Sequence, residues 1–346
     1  MKRNLYSEIL DKSMWMLCQA TTEDDAIKAF LNSAVEELKY AKDLLDSDNT
    51  PVIAFFGRTN VGKSTLLNAL LGSKIAPVHN CDWSARPVEY HFSRASCLLL
   101  AEHYPPQSFP FHSEEELKEA LTKLSTMANP EASVGKEHIV VKLDAPVLQN
   151  GLSFCDMPGF LATTGDDAEN STGTHDKDIR EFLTGQGNAV RVFLVTDAEI
   201  PSASVIGFLK ENLCDMQMHI IVNYRATENI EERKRDLEDA WRTNLGRVLF
   251  FHYINAKTAC CSIMAPERND LMECLKNFSS RQGQTTNCID TCCAVFNNIV
   301  LYLHDFKKKK NIASLFPQNC WDVVKTLLQE LGNEKLQKSF DEFRRS

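Results

Sequence analysis

The sequence lacks three features that would each indicate a particular class of protein. It has no run of 18 apolar residues, so no segment predicts a membrane-spanning helix. Its 38 basic residues are outnumbered by 47 acidic ones, and this net charge of −9 argues against nucleic acid as a partner, because phosphate binding needs a basic surface. The polar first residues do not resemble a signal peptide. We therefore expect a cytoplasmic protein, and the cytosolic face of an organelle membrane is one location compatible with this.

The cysteines also lack the spacings that would indicate a metal site. The chain has 12 cysteines, none of them in a Cys-x-x-Cys pair, and the adjacent pairs Cys260-Cys261 and Cys292-Cys293 do not suit a tetrahedral metal. Cys288 and Cys292 could share one face of a helix, but this spacing alone is a weak signal. Reduced thiols are the simplest interpretation.

Short apolar runs alternate with helical stretches between residues 49 and 275, which predicts an α/β fold with a mainly parallel sheet. Helical patterns precede this segment in residues 1–48 and follow it in residues 276–346, and we expect the flanking helices to pack together as a small bundle. Thr22 with Asp25, and Ser113 with Glu116, resemble capping boxes that open helices. The last helix is predicted to run without a break over 321–340. The predicted strands are 52–56, 88–92, 97–103, 139–143, 152–155, 190–196, 219–222 and 248–254.

A phosphate-binding loop follows the first of these strands. Gly57, Gly62, Lys63 and Ser64 have the Walker A spacing, and a helix is predicted directly afterwards. In such loops backbone N–H groups surround the phosphates, the lysine reaches the β- and γ-phosphates, and the serine hydroxyl binds Mg²⁺. The sequence therefore predicts a nucleoside triphosphate site whose loop residues are Gly57, Arg58, Thr59, Asn60, Val61, Gly62, Lys63, Ser64 and Thr65.

A second phosphate-side motif ends the strand at 152–155. Asp156 is predicted to hold Mg²⁺ together with Ser64, and the Gly159 N–H to meet the γ-phosphate. Ser84 lies in the long segment between the two motifs, where a hydroxyl could close on Mg²⁺; a simple loop that leads into a strand is the alternative.

The base-binding end is less complete. Asn255, Ala256 and Lys257 follow the last strand, and the Ala256 N–H is predicted to donate to a purine carbonyl. Asn223 and Arg225 follow the preceding strand, but Ala226 stands where a guanine-selective site has an aspartate. Glu228 is an alternative acceptor from a different direction. Guanine selectivity is therefore open at this stage.

Together these motifs resemble the dynamin superfamily of large GTPases, over about residues 50–275. The loop from Phe55 to Thr65 looks most like the mitofusin and bacterial dynamin-like branch, and the Asp156–Gly159 segment matches the Asp-x-Pro-Gly form of the superfamily. Ser84-Ala85-Arg86-Pro87 is similar to the dynamin switch, with serine in place of threonine. The resemblance implies GTP and GDP as ligands, Mg²⁺ as cofactor, a nucleotide-dependent homodimer, and coupling to membrane remodelling or fusion through the membrane or a membrane protein.

The loop is also similar to that of Era- and TrmE-type GTPases. In the TrmE type the asparagine that matches Asn60 binds a monovalent cation, so the resemblance implies K⁺ as a second cofactor. On this basis the residues expected to act in hydrolysis are Lys63, Ser84 and Asn60. Phe160 follows Gly159 where other GTPases place a glutamine. Dynamin-like and TrmE-type proteins also lack this glutamine, and both resemblances imply dimerisation across the nucleotide face to offset the loss. Two alternatives stay open: a nucleotide-binding scaffold with weak hydrolysis and relaxed base choice, and an Era-like GTPase.

Overall fold

The protein is described from a computed structural model. The described residues are 2–46, 51–58, 60–77, 87–100, 107–126, 139–157, 159, 190–213, 218–227, 229–261, 266–278, 281–307 and 312–345. A nine-stranded sheet forms the centre, in the order β4-β3-β5-β2-β6-β1-β7-β8-β9. Its strands are β1 (Val52–Phe56), β2 (Val88–Phe92), β3 (Cys97–Leu100), β4 (Gln107–Pro110), β5 (Ile139–Leu143), β6 (Ser153–Asp156), β7 (Val190–Asp197), β8 (Met218–Asn223) and β9 (Phe250–Ile254).

The prediction of a mainly parallel sheet is confirmed. Strand β1 lies between β6 and β7 and is parallel to both, and β7, β8 and β9 continue the parallel arrangement. Antiparallel pairing is confined to β2 with β6 and to β3 with its neighbours β4 and β5. The sequence did not predict β4, whose last residue, Pro110, suits an edge strand because proline cannot donate to a strand ladder.

Helices cover both faces of the sheet, which explains why β1 is apolar without alternation. Ile53 and Phe55 enter one core, and Ala54 and Phe56 enter the core on the opposite face. The helices are α1 (Lys2–Cys18), α2 (Asp25–Asp46), α3 (Lys63–Leu71), α4 (Glu114–Thr126), α5 (Ala203–Asn212), α6 (Ile230–Leu245), α7 (Ala256–Cys261), α8 (Pro266–Lys276), α9 (Arg281–Lys307), α10 (Gln318–Leu331) and α11 (Glu334–Arg345).

A third core joins α1 and α2 to α9, α10 and α11. Phe30 of α2 stacks on Tyr302 of α9, with ring centroids 3.9 Å apart, and Trp321 is fully buried among aromatic side chains of the last helices. The first and last helices therefore pack against each other. The division into domains at residues 48 and 275 stays a prediction.

Two helix ends differ from the prediction. Helix α2 is capped by Asp24, not Thr22: its Oδ1 accepts from the Ala26 and Ile27 N–H groups, because Asp24 is the last residue before the helix. The predicted helix over 321–340 is two helices. Gly332 adopts a left-handed φ of 68° and ends α10, and the Asn333 side chain then caps α11. At the Ser113 cap, the predicted bond from Glu116 N–H to Ser113 Oγ is present at 3.2 Å.

Candidate nucleotide-binding site

The loop after β1 is shaped by glycines that no other residue could replace without movement. Gly57 has a φ of 154°, and a Cβ built there would lie 2.3 Å from the carbonyl oxygen of Val195. Gly62 has a φ of 92°, and its Cβ would lie 2.4 Å from the Asn223 amide nitrogen. Asn60 itself is left-handed, with a φ of 65°, a conformation that asparagine tolerates better than most residues. The loop therefore passes close to β7 and β8 at the carboxyl edge of the sheet.

Lys63 opens α3 and is 8% exposed. Its Nζ donates to the carbonyl oxygens of Gly57 and Arg58, each at 3.1 Å. Burial lowers the pKa of Lys63, and the nearby charge of Asp156 opposes this shift. These two bonds hold the Lys63 ammonium group against the loop, where it could contact phosphate oxygens.

Ser64 and Asp156, which are 92 positions apart in the chain, meet beside this lysine. Ser64 Oγ lies 3.3 Å from Asp156 Oδ2. The other carboxylate oxygen, Oδ1, is buried and has no hydrogen-bond partner among the described residues. Burial raises the pKa of Asp156 to about 6, although Lys63 and the Ser64 hydroxyl act in the opposite direction. A hydroxyl next to a buried, incompletely satisfied carboxylate fits a hard divalent cation such as Mg²⁺.

Asn223, at the end of β8, connects the phosphate loop to the base-binding end. Its Nδ2 donates to the Val61 carbonyl oxygen at 2.8 Å, and its Oδ1 accepts from the Ala256 N–H at 3.0 Å. The N–H group predicted to bind a purine carbonyl is therefore already engaged within the protein. A purine carbonyl could bind this N–H only by sharing it with Asn223 or displacing the Asn223 oxygen.

The remaining predicted residues occupy the same edge of the sheet or lie outside the described residues. The Asn255 side chain accepts from the Thr258 N–H at 2.9 Å and caps α7. Thr59 and Ser84, together with Phe160 and Glu228, lie outside the described residues, and Gly159 is described without its immediate neighbours. Of the other predicted residues and Ala226, the exposed ones are Arg58, Asn60, Arg225, Ala226 and Lys257, and the half-buried ones are Val61, Gly62, Ser64 and Thr65. Their contacts with a nucleotide stay predictions.

Tyr90 is a residue of this site that the sequence analysis missed. It is fully buried on β2, the strand antiparallel to β6, and its hydroxyl has no hydrogen-bond partner in the described part of the chain. Burial raises the pKa of Tyr90 well above its usual value, and the neighbouring charges of Asp156 and Cys155 add to the shift. Tyr90 stands between Glu89 and His91 in the sequence, and nothing in this pattern pointed to the site.

The segment that forms most of the sheet is similar in sequence to known GTP-binding proteins. A sequence model of the Dynamin family matches residues 53–223, just under half of the chain. The probable GTP-binding protein EngB of Caldanaerobacter subterraneus subsp. tengcongensis is 26% identical over 150 residues, which are 41% of this chain and 74% of the relative. GTPase Der of Nitrosomonas eutropha is 27% identical over 143 residues, which are 39% of this chain and 29% of the relative.

Two solved chains come from structures described as an oligomerised bacterial dynamin pair that provides a mechanism for long-range sensing and tethering of membranes. Both have a TM-score of 0.46, with 15% and 14% sequence identity. They cover 86% and 99% of this chain, which spans 43% and 64% of their lengths. Within the described residues, no helix combines the length and apolarity needed to cross a membrane.

Proposed function

We propose that this chain binds GTP and hydrolyses it to GDP and phosphate with Mg²⁺, since residues 53–223 match the sequence model of the Dynamin family. The observation that carries the proposal is the convergence of Lys63, Ser64 and Asp156: a buried lysine, a hydroxyl and an incompletely satisfied carboxylate lie together at the end of β1. The similarity to a GTP-binding protein and to a GTPase supports guanine as the base.

The reaction needs little covalent chemistry from the protein. Water attacks the γ-phosphorus, the bond from phosphorus to the β,γ-bridging oxygen breaks, and the leaving group departs as GDP. Lys63 and the N–H groups of the phosphate loop would stabilise the negative charge on the phosphate oxygens. Ser64 and Asp156 would hold Mg²⁺, with Ser84 as a third candidate, and the ion would neutralise charge on the β- and γ-phosphates.

A phosphate-release assay with matched lysine variants tests this proposal. Lys63→Ala should abolish hydrolysis and weaken binding of GTP and GDP. Lys74→Ala removes an exposed lysine just after α3 and should leave both unchanged. Measuring GTP, GDP and ATP binding in the same experiment compares the bases. If Lys63→Ala released phosphate at the unaltered rate, the nucleotide site would have to be elsewhere.

We further propose that Asn60 binds K⁺ beside the phosphates. Asn60 lies outside regular secondary structure, has a left-handed backbone and has an exposed side chain. Asn60→Gly is the suitable variant, because glycine keeps the backbone conformation while removing the amide. Hydrolysis should be faster in K⁺ than in Na⁺ for the unaltered chain, and Asn60→Gly should remove the difference. Equal rates in both salts would exclude the K⁺ site.

Dimerisation across the nucleotide face would offset the missing glutamine, the residue that Phe160 replaces after Gly159. The parallel strands β1 and β7 end at the same edge of the sheet, so the loop after β7 lies at the edge that carries the phosphate loop. That loop exposes Ile200, which is 64% accessible. We expect hydrolysis per chain to rise with protein concentration, and Ile200→Ser to reduce the rise. Phe109→Ser, which changes an exposed apolar residue on the edge strand β4, is the control. A rate per chain independent of concentration would contradict the dimer.

A second candidate function, a nucleotide-binding scaffold with relaxed base choice, is favoured by the base-binding end. Ala226 is exposed and offers no acceptor, and the Ala256 N–H is engaged by Asn223. Equal thermal stabilisation by ATP and GTP, without phosphate release, would select this function over the GTPase.

A role in membrane remodelling or fusion is the least supported part of the proposal. The apolar residues Leu336, Phe340 and Phe343 of α11 are buried in the helical core and are not available to lipid. The lysine run Lys307–Lys310 lies almost wholly outside the described residues. We therefore propose that any membrane coupling acts through a partner protein. Flotation with anionic vesicles should leave the purified chain unbound, whereas strong binding would favour direct contact with lipid.

A further inference from the structure

Two histidines and a cysteine meet on one side of the sheet. His219 lies on β8, His252 on β9 and Cys274 on α8. One ligand atom from each side chain lies within 4.8 Å of the other two. His219 Nδ1 is 3.0 Å from His252 Nε2, and Cys274 Sγ is 3.9 Å from the same nitrogen. The three residues are separated in the chain, so sequence spacing gave no sign of this group.

The group is poorly satisfied by its own hydrogen bonds. One proton can be shared between the two imidazoles, and the contact to the thiol is long. His219 is 3% exposed, and its Nε2 has no hydrogen-bond partner among the described residues. Its ring lies between Phe193 and Phe250, with centroid separations of 4.4 and 4.7 Å, so water cannot readily replace the missing partner. Nδ1 of His219, not Nε2, lies beside His252, so an ion held by Nδ1 would fix the ring without providing a partner for Nε2.

We propose that His219, His252 and Cys274 form a binding site for a borderline-soft divalent metal ion such as Zn²⁺. Two imidazole nitrogens and one thiolate are the ligand types that Zn²⁺ prefers. Tetrahedral coordination with ordinary Zn–N and Zn–S bonds requires separations of about 3.3 Å between the nitrogens and about 3.6 Å between nitrogen and sulfur. The observed 3.0 and 3.9 Å differ from these by a few tenths of an ångström. The third pair, from His219 to the Cys274 sulfur, lies within 4.8 Å, so side-chain rotation would have to bring these two atoms closer when the ion binds.

The two histidines are neutral at neutral pH, because burial lowers the pKa of His252 to about 4 and that of His219 well below its usual value. Each ring has one lone pair, so ion binding requires the proton between His219 Nδ1 and His252 Nε2 to move to the other nitrogen of its ring. Burial raises the pKa of Cys274 to about 12, so its thiol is protonated without the ion and would release that proton to solvent when the ion binds. Among the described residues no fourth His, Cys, Asp or Glu joins the group.

The site would join α8 to β8 and β9 close to the nucleotide-binding edge. His219 stands four residues before Asn223, and His252 stands four residues before Ala256, which is hydrogen-bonded to Asn223. An ion held by all three residues would fix the two strands against each other at this point. Its expected effect is higher thermal stability, independent of whether the nucleotide is hydrolysed.

Titration of the metal-stripped, reduced full chain with Co²⁺ tests the proposal, because Co²⁺ replaces Zn²⁺ and reports tetrahedral thiolate coordination in its visible spectrum. We expect one Co²⁺ per chain, displacement by Zn²⁺, and a higher melting temperature in Zn²⁺ than without it. Cys274→Ala should remove the thiolate-to-cobalt absorption, and His252→Gln should weaken Co²⁺ binding at least tenfold. Cys260→Ala changes another half-buried cysteine, outside the group, and should bind as the unaltered chain does.

Circular dichroism of each variant separates loss of the site from loss of the fold. If Cys274→Ala fails to fold, His252→Gln and the spectrum of the unaltered chain still decide. The proposal is overturned if the unaltered chain binds no Co²⁺ with tetrahedral absorption. It is also overturned if folded Cys274→Ala retains that absorption, since the ion would then be held elsewhere, for instance by Cys288 and Cys292.

Discussion

Replacing Asn223 should separate its effect on the phosphate loop from its effect on general stability. The Asn223 amide holds one backbone group of the loop, the Val61 carbonyl, and one of the base-binding turn, the Ala256 N–H. Asn223→Ala would leave both without their partner. A backbone group deprived of its hydrogen bond costs about 1–3 kcal/mol, with the lower value where water can enter. Since Val61 is half-buried and Ala256 is buried, we expect a loss of about 2–4 kcal/mol in the free energy of unfolding.

The chain contains a matched control for this variant. Asn68, near the end of α3, makes the same two-bond contact with a single residue: its Nδ2 donates to the Ala76 carbonyl at 2.9 Å, and its Oδ1 accepts from the Ala76 N–H at 2.8 Å. Both residues of this pair are buried, so Asn68→Ala should destabilise the chain at least as much. Its side-chain hydrogen bonds involve neither Val61 nor Ala256, so Asn68→Ala should leave nucleotide affinity nearly unchanged.

Two measurements on both variants test this reasoning. Urea unfolding gives the loss in stability, and titration with GDP at a temperature where both variants are folded gives the affinity. We expect Asn223→Ala to lose at least tenfold in affinity and Asn68→Ala to lose less than twofold. Asn223→Asp keeps the acceptor for Ala256 but places an oxygen against the Val61 carbonyl, so it should bind no better than Asn223→Ala. If the two alanine variants lost affinity equally, the bridge would have no special role at the site.

Three further predictions concern stability. Gly207→Ala in α5 should stabilise the chain by about 0.5–1 kcal/mol, because the added Cβ meets nothing within 4 Å. Gly57→Ala should destabilise it by about 2–4 kcal/mol, because a Cβ there would clash with the Val195 carbonyl; equal melting temperatures of the two variants would contradict this clash. Glu37→Gln should cost about 3–5 kcal/mol in urea unfolding, because it removes the negative charge that faces the buried Arg247, 3.2 Å away; a change below about 0.5 kcal/mol, typical of exposed pairs, would contradict this. Without Mg²⁺, the free energy of unfolding should fall by about 3 kcal/mol as pH rises from about 4 to 6. The reason is that folding raises the pKa of Asp156, so the unfolded chain releases this proton at lower pH than the folded chain does. Asp156→Asn should remove this dependence on pH, and an unchanged dependence would exclude Asp156 as its source.

Local patterns in the sequence were sufficient to predict the centre of the fold. The apolar run at β1, the glycines at positions 57 and 62, and the helix that follows all indicate one strand–loop–helix unit, and the structure contains it. Side chains on the two faces of β1 pack into two different cores, which explains why the strand is apolar at every position.

Features that depend on distant contacts or on a single residue were predicted less well. The break between α10 and α11 depends on Gly332 in a left-handed conformation, within an apolar periodicity that continues on both sides of it. Strand β4 is short and is stabilised by pairing with β3, not by its own sequence. The group of His219, His252 and Cys274 exists only because two strands and a helix bring it together.

The candidate site divides along the same line, and Asn223 shows why. Apart from Asp156 on β6, the phosphate-binding side is built from consecutive residues, Gly57 to Ser64, and their spacing indicates its chemistry. The base-binding side is assembled from the ends of two strands, and there the structure shows an N–H that is already engaged, next to an exposed Ala226. Asn223 bonds to both sides through one amide, so a base that displaced its oxygen from Ala256 would also disturb its hold on Val61. We therefore expect base recognition and loop geometry to be coupled through this single side chain, so that base selectivity is the property most sensitive to its replacement.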